Sequence, residues 1–255
     1  MFSEPTLTSR HALFLDFDGT LADIAEQPHQ VTLPRGTLQD LRALQQALGG
    51  ALAIVTGRAH ASIAPHFAGL ALPLACEHGA RLHPAGTAPD SAPSTPSTDS
   101  AALAAVRPAL RALARQHPAL LLEEKNAAIA LHYRHAPELQ ALCRQTLEQA
   151  LAGHPGLELM AGKCVYEVKP AGASKGRAIE RLMHEPPFAG RVPLFVGDDV
   201  TDEAGFAAVQ ALGGLGVKVG AGGSAARARL DSPPAVRAWL HTAARTLAPT
   251  AETAR

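Results

Sequence analysis

The stretch Ala12-Leu13-Phe14-Leu15-Asp16-Phe17-Asp18-Gly19-Thr20 decides the fold. Its apolar opening reads as a buried strand. Gly19 breaks that strand, so Asp16 and Asp18 fall at or just past its carboxyl end. Residues two apart on a strand point the same way. Two carboxylates then face one spot, beside the backbone amides of a turn. In an open α/β sheet, ligands bind outside the carboxyl ends of the strands. Like charges this close are costly unless a cation or a shared proton relieves them. The arrangement suits Mg²⁺ and phosphate chemistry. Alone, the motif also fits an ordinary Asp- and Gly-rich turn; its weight comes from the motifs that follow.

Working outward, strand and helix signals alternate. A loop over 22–34 leads to a helix near 35–48, with Leu38, Leu41, Leu44 and Leu48 at helical spacing. Ala51–Val55 reads as a second buried strand, followed by Thr56-Gly57-Arg58, a helix near 60–67 and a short strand near 73–76. This βαβαβ order implies a parallel sheet with right-handed crossovers. Residues 84–100 are rich in Pro, Ser, Thr and Ala and read as a surface loop. The middle section changes pattern: a helix near 100–116, strands near 119–124 and 127–133, a helix near 137–152, and strands near 156–160 and 164–168. Helix–hairpin–helix–hairpin predicts a small α+β domain with an antiparallel sheet. The first pattern then returns, with a helix from about Lys175 to 184, a buried strand at Leu194–Val196, a helix near 202–211, a strand near 215–219 and a helix near 233–247. The expected architecture is one α/β core built from 1–83 and 170–255, with 84–169 inserted as a lid.

Composition narrows the function classes. The chain has 255 residues, 47% of them hydrophobic, with 23 basic and 23 acidic side chains. A formal charge of zero predicts neither a nucleic-acid nor a membrane surface. Aromatics at 4% leave little for stacking on bases. Cys76, Cys143 and Cys164 form no CxxC pair and are expected as buried reduced thiols. Met1-Phe2-Ser3-Glu4-Pro5 shows no leader pattern, and no apolar run approaches a membrane span. The expectation is a soluble, cytoplasmic protein acting on a small molecule, and by default a monomer.

Three further motifs fall at strand ends or helix starts. Thr56-Gly57-Arg58 places a hydroxyl and amides just after a strand. Ser174-Lys175-Gly176 places a cation at a helix start, where the helix dipole disfavours it; that hints at a bound anion. Gly197-Asp198-Asp199-Val200-Thr201-Asp202-Glu203 crowds acceptor side chains behind a buried strand. Thr201 or Asp202 could cap the next helix, but capping does not call for Asp198 and Asp199 as well. Hard divalent cations seek such carboxylate clusters.

Together the four motifs resemble the haloacid dehalogenase-like phosphatase superfamily. The resemblance narrows with Asp16-Phe-Asp-Gly-Thr-Leu-Ala-Asp-Ile24, Glu77-His-Gly79, Glu123-Glu-Lys125, Leu131-His-Tyr-Arg134 and Glu167-Val-Lys-Pro170. With these the chain is similar to the trehalose-6-phosphate phosphatases from about Leu13 to Trp239, lid included. The resemblance implies a Rossmann-like core plus an α+β cap, and hydrolysis of trehalose 6-phosphate, the last step of trehalose biosynthesis. It makes Asp16 the nucleophile, Asp18 the acid/base, and Thr56, Gly57 and Lys175 the phosphoryl-binding groups. Mg²⁺ is expected on Asp16, the backbone carbonyl of Asp18, and Asp198, with Asp199 and Asp202 behind them. Glu123, Lys125 and Glu167 are expected on the sugar, with His132 and His78 as further candidates. A phosphatase of another sugar phosphate would share the core motifs and differ in the lid. A phosphotransferase is chemically possible. A silent sugar-phosphate sensor should have lost an acidic or basic group that this chain keeps.

Overall fold

The computed structural model describes residues 5–25, 30–88, 99–124, 128–162 and 164–247. They form two compact units, Met1–Ala92 with Ser174–Arg255, and Pro93–Ala173. In chain order, β1 (His11–Leu15), α1 (Thr37–Ala47), β2 (Leu52–Val55), α2 (His60–Ile63), β3 (Leu74–Cys76) and β4 (Arg81–His83) open the first unit. The second contains α3 (Asp99–Gln116), β5 (Leu121–Glu124), β6 (Ile129–His132), α4 (Gln140–Leu151), β7 (Leu157–Gly162) and β8 (Val165–Pro170). Then α5 (Lys175–Met183), β9 (Val192–Gly197), α6 (Glu203–Ala211), β10 (Leu215–Val219), β11 (Ala228–Leu230) and α7 (Pro233–Leu247) complete the first.

The first unit, here the core unit, holds a seven-stranded sheet in the order β11-β10-β9-β1-β2-β3-β4. All neighbours are parallel except β3 and β4. Helices cover both faces of such a sheet, so its inner strands read as unbroken apolar runs. Leu13, Phe14, Leu15, Leu52, Ile54 and Val55 are all fully buried. Chain order departs in both directions from β1: β2 lies on one side, β9 on the other. Right-handed crossovers then place α1 and α7, which pack together, on one face, and the packed pair α5 and α6 on the other. Leu15 pairs with Val196 at this switch point, where α/β sheets bind ligands.

The second, inserted unit has an antiparallel sheet in the order β5-β6-β8-β7. Both expected hairpins form. Leu131 and Tyr166 are adjacent in register and join Leu110, Leu113, Cys143 and Leu147 of α3 and α4 in one apolar cluster. That cluster fixes which sheet face is covered by helices and which is not.

Several local expectations shift. Strands β4 and β11 occupy stretches read as connections. The helix expected over 60–67 is α2 followed by a 3₁₀ segment, Ala64–Phe67, with Pro65 in its first turn. Cys76 and Cys143 are buried free thiols, but Cys164 is only half-buried and has φ 61°; the hairpin bend between β7 and β8 lifts it out of the core. Residues 89–98 of the Pro/Ser-rich stretch lie outside the described residues. No helix among the described residues is long and apolar enough to cross a membrane.

Candidate active site

The ends of β1 and β9 are locked level, because the Asp16 amide donates to the Val196 carbonyl at 2.9 Å. The turn after β1 carries Gly19 at φ 73°, and a Cβ added there would stand 2.2 Å from Asp198 Oδ2. Only glycine both adopts this conformation cheaply and leaves room for that carboxylate. Asp198 thus comes against the Asp16–Thr20 turn, with Thr20 Oγ1 donating to it at 3.4 Å.

Lys175 is buried at the first position of α5, behind Ser174, whose hydroxyl caps the helix by accepting from the Arg177 amide. A cation here hints at a bound anion; the structure supplies two carboxylates. Lys175 Nζ lies 2.8 Å from Asp16 Oδ1 and 2.7 Å from Asp202 Oδ1. Asp202 Oδ2 accepts from the amides of Asp198 and Asp199 at 2.9 and 3.0 Å. Both oxygens of Asp202 are therefore committed. Asp199 accepts from the Thr201 amide and hydroxyl at 2.7 and 2.6 Å, and with Asp202 it forms a reciprocal capping box on the 3₁₀ turn Val200–Asp202. Capping thus uses Asp199 and Asp202 together, not Thr201 or Asp202 alone, and leaves Asp198 free to face Asp16.

The electrostatics follow from this crowding. Burial, only partly offset by Lys175, pushes Asp16 well above the usual carboxylate range. Burial and the charges of Asp202 and Asp199 push Asp198 up to about 6. Asp202 is raised by burial against the pull of Lys175. Asp199 goes the other way: burial opposes its charge, but Lys175 and the Thr201 hydrogen bonds hold it low. Burial disfavours charge on Lys175 as well, yet the Asp16 and Asp202 carboxylates keep it firmly protonated.

Oxygens of Asp16, Asp198 and Asp202 all lie within 4.8 Å of one another. Three carboxylates against one ammonium is a donor set that gains from a divalent cation. Its hard oxygen ligands suit Mg²⁺. With Asp202 committed elsewhere, Asp16 and Asp198 are the side chains able to hold the ion.

Around this cluster, Asp18 takes a bidentate grip from Arg58, with Nε to Oδ2 at 2.7 Å and Nη2 to Oδ1 at 2.6 Å. The guanidinium lies over the Phe17 ring, 5.1 Å from its centroid. Thr56 is buried and its hydroxyl accepts from the Arg58 amide at 3.1 Å. A Cβ at Gly57 would meet the His78 ring at 2.5 Å, so His78 belongs to the core unit, packed against the Thr56–Arg58 turn. Glu77, His78 and Gly79 are all left-handed, with φ of 51°, 57° and 91°. For the first two this costs roughly 1–2 kcal/mol each. The strain is held by amides donating from Glu77 to the Arg58 carbonyl and from His78 to the Thr56 carbonyl, both at 3.0 Å.

The inserted unit groups another set. Glu123 pairs with Ala130, and Ala130 with Glu167. The two glutamates share one cross-strand row, two strands and roughly 10 Å apart, on the face turned away from α3 and α4. His132 Nε2 stands 3.0 Å from Glu123 Oε2. Lys169 on the same face pairs with Glu158 at 2.6 Å. Lys125 lies outside the described residues.

Two residues carry geometry that sequence reading left unassigned: Arg58, quoted only as part of a motif, and Lys218, a lysine inside the apolar strand β10.

A family model described as trehalose-phosphatase matches residues 14–234. The trehalose-6-phosphate phosphatase of Escherichia coli (strain K12) is 40% identical over 238 residues, covering 92% of this chain and 87% of that protein. A probable trehalose-phosphate phosphatase of Sinorhizobium fredii is 42% identical over 212 residues, covering 82% of this chain and 77% of that protein. Among solved structures, the C-terminal domain of the C. albicans trehalose-6-phosphate phosphatase superposes with a TM-score of 0.78 at 25% identity, covering 93% of both chains.

Proposed function

Since the chain belongs to the trehalose-phosphatase family, we propose that it hydrolyses trehalose 6-phosphate to trehalose and phosphate, as the last step of trehalose biosynthesis. The observation that carries the chemistry is the buried Asp16–Lys175–Asp202 network facing Asp198 at the sheet's switch point.

Asp16 attacks phosphorus, and the bond from phosphorus to the sugar oxygen breaks. Asp18, more exposed than Asp16 and two residues further along the chain, gives its proton to the departing sugar oxygen once the Arg58 grip, which favours its ionised form, is released. The result is an aspartyl-phosphate, which splits one hard displacement into two easier ones. Asp18 then takes a proton from water, whose oxygen attacks phosphorus and restores the Asp16 carboxylate. Lys175 orients Asp16 and, with the Thr56 hydroxyl and the Gly57 amide, receives the phosphoryl oxygens. Preorganised charge of this kind usually supplies the largest catalytic term. Mg²⁺ would be held by the Asp16 and Asp198 carboxylates and the Asp18 main-chain carbonyl, and supplies positive charge that offsets repulsion between nucleophile and phosphate. Asp202 positions the loop that bears Asp198, and Asp199 caps it.

The sugar is assigned to the polar face of the inserted unit, with Glu123, Lys125, Glu167 and His132 binding hydroxyls. His78, expected as a further sugar candidate, packs on Gly57, and we assign it to the phosphoryl end.

Phosphate release from a panel of sugar phosphates, with Mg²⁺ and with EDTA, tests the reading. A strong Mg²⁺-dependent preference for trehalose 6-phosphate is expected. Equal turnover of glucose 6-phosphate would keep the chemistry and remove the substrate. No release from any member would remove the enzyme reading.

A further inference from the structure

We propose that Lys218 is a positioning residue that fixes the main chain of Asp198 and thereby sets the metal affinity of the site. The inference rests on the Mg²⁺ reading above and extends it to a residue outside the motifs.

Strand β10 is apolar apart from this lysine, and from Gly216 to Val219 it is buried, Lys218 included. It is the last residue of β10 in register with β9, opposite Gly197. Beyond that pair the ladder ends and the loop carrying Asp198 begins. Lys218 Nζ donates to the Asp198 carbonyl and, at 2.8 Å, to the Val219 carbonyl. Among the described residues, no carboxylate stands within ion-pair distance of it. A buried ammonium served only by carbonyls is expensive compared with the apolar side chain that a parallel strand would otherwise carry. What the charge holds in return is the Asp198 peptide. Its amide is taken by Asp202 Oδ2 and its carbonyl by Lys218 Nζ, so charged side chains grip both polar groups of one residue. The grip matters because Asp198 has no slack: its carboxylate already occupies the space that a side chain at Gly19 would need. A rotated peptide would move that carboxylate away from Asp16.

The sign of the effect separates this role from its rivals. If Lys218 were only a like charge near the cation, removing it would tighten metal binding. If it were only a packing element, removing it would lower stability and leave affinity alone. If it positions Asp198, removing it weakens metal binding although a positive charge has gone.

The test is Mn²⁺ titration of the metal-free, full-length protein, with free ion followed by electron paramagnetic resonance and melting followed in parallel. We expect Lys218→Met to raise the dissociation constant about 10–100-fold, the usual cost of losing an outer partner of a metal ligand. Lys218→Arg, which keeps a charged donor, should stay near wild type. Val217→Ala, in the same strand, should lower the melting temperature and leave the dissociation constant unchanged. If Lys218→Met does not fold, Lys218→Gln is read against the same expectation. An unchanged or lowered constant in the folded variant overturns the proposal. Absence of Mn²⁺ binding by the wild type would instead remove the metal reading itself, and this assignment with it.

Discussion

The two units hold their charged groups differently. In the core unit the side chains of Lys175, Asp16 and Asp202 are 3%, 6% and 0% exposed and are held by one another. In the inserted unit Glu167 and Lys169 are buried, while His132 and Glu123 on the same sheet face remain 31% and 50% exposed. The first arrangement is preorganised in a low dielectric, where each charge is worth most and depends most on its partners. The second is a set of polar handles on a sheet whose stability comes from its other face, where Leu131, Tyr166 and Val168 pack on α3 and α4. A buried network is suited to stabilising charge that moves. A row that runs from the buried Glu167 to the half-exposed Glu123 is suited to counting hydroxyls. Core substitutions should therefore change turnover, and substitutions in the inserted unit should change which alcohol is accepted.

The hardest blow to this division is Asp16→Asn. It should lower kcat by at least about 10⁴-fold, since it removes the proposed nucleophile, while a fluorescence or calorimetric titration still detects trehalose 6-phosphate. A milder loss would mean that another group attacks. Next is Lys175→Met, expected to reduce kcat about 10²–10³-fold. Removing the cation leaves Asp16 and Asp202 buried without a counter-charge, although Asp202 keeps the Asp198 and Asp199 amides, and costs about 3–5 kcal/mol of stability. Adding Asp202→Asn should recover melting temperature without recovering turnover.

Glu167→Gln sharpens the comparison from the other side. Its KM for trehalose 6-phosphate should rise about 10–100-fold, the equivalent of a charged hydrogen bond worth about 1.5–3 kcal/mol, with kcat nearly unchanged. Hydrolysis of p-nitrophenyl phosphate, which has no sugar, should not change. If both substrates suffer equally, the inserted unit is not the discriminating part. The smallest effect is thermal. With metal removed by EDTA, Asp198 has a folded pKa near 6, above its ordinary value. The folded protein then binds more protons than the unfolded chain, so this residue's contribution becomes more favourable as pH falls through 6 and is lost as pH rises. Wild type minus Asp198→Asn, melted across that range, should show this slope. A flat difference would mean that Asp198 is not crowded.

What the sequence made legible depends on how each element is buried. The strands at 11–15, 52–55 and 192–197 are covered on both faces and announce themselves as apolar runs. β4 and β11 are three-residue edge strands, Arg-Leu-His and Ala-Arg-Leu, each paired on one side only, and nothing local marks them. The acidic motif after β9 was readable as a cluster, but the division of labour within it was not. Which aspartate caps and which faces the site follows from the 3₁₀ turn, whose hydrogen bonds are set by backbone direction. Arg58 and Asp18 are 40 positions apart and meet only through adjacent strands. Nothing local marks Lys218: one lysine in an apolar strand has the pattern of a solvent-facing position, whereas here it is buried. The positive-φ run at Glu77-His78-Gly79 left a glycine as its only trace in the sequence.

Asp198 and the turn that receives it are joined by a contact between positions 178 apart, because the strand beside β1 is made from the far end of the chain. During synthesis, every strand of the inserted unit is made before β9. That unit, with an apolar cluster of its own, is expected to fold first, while β1 waits with one edge open and its aspartates unmatched. Chains truncated before residue 190 should resist protease within α3, α4 and β5 to β8 and remain sensitive before 60. The growing chain thus holds its proposed sugar-binding face before its proposed phosphoryl site, which is complete only once the last quarter of the chain has been made.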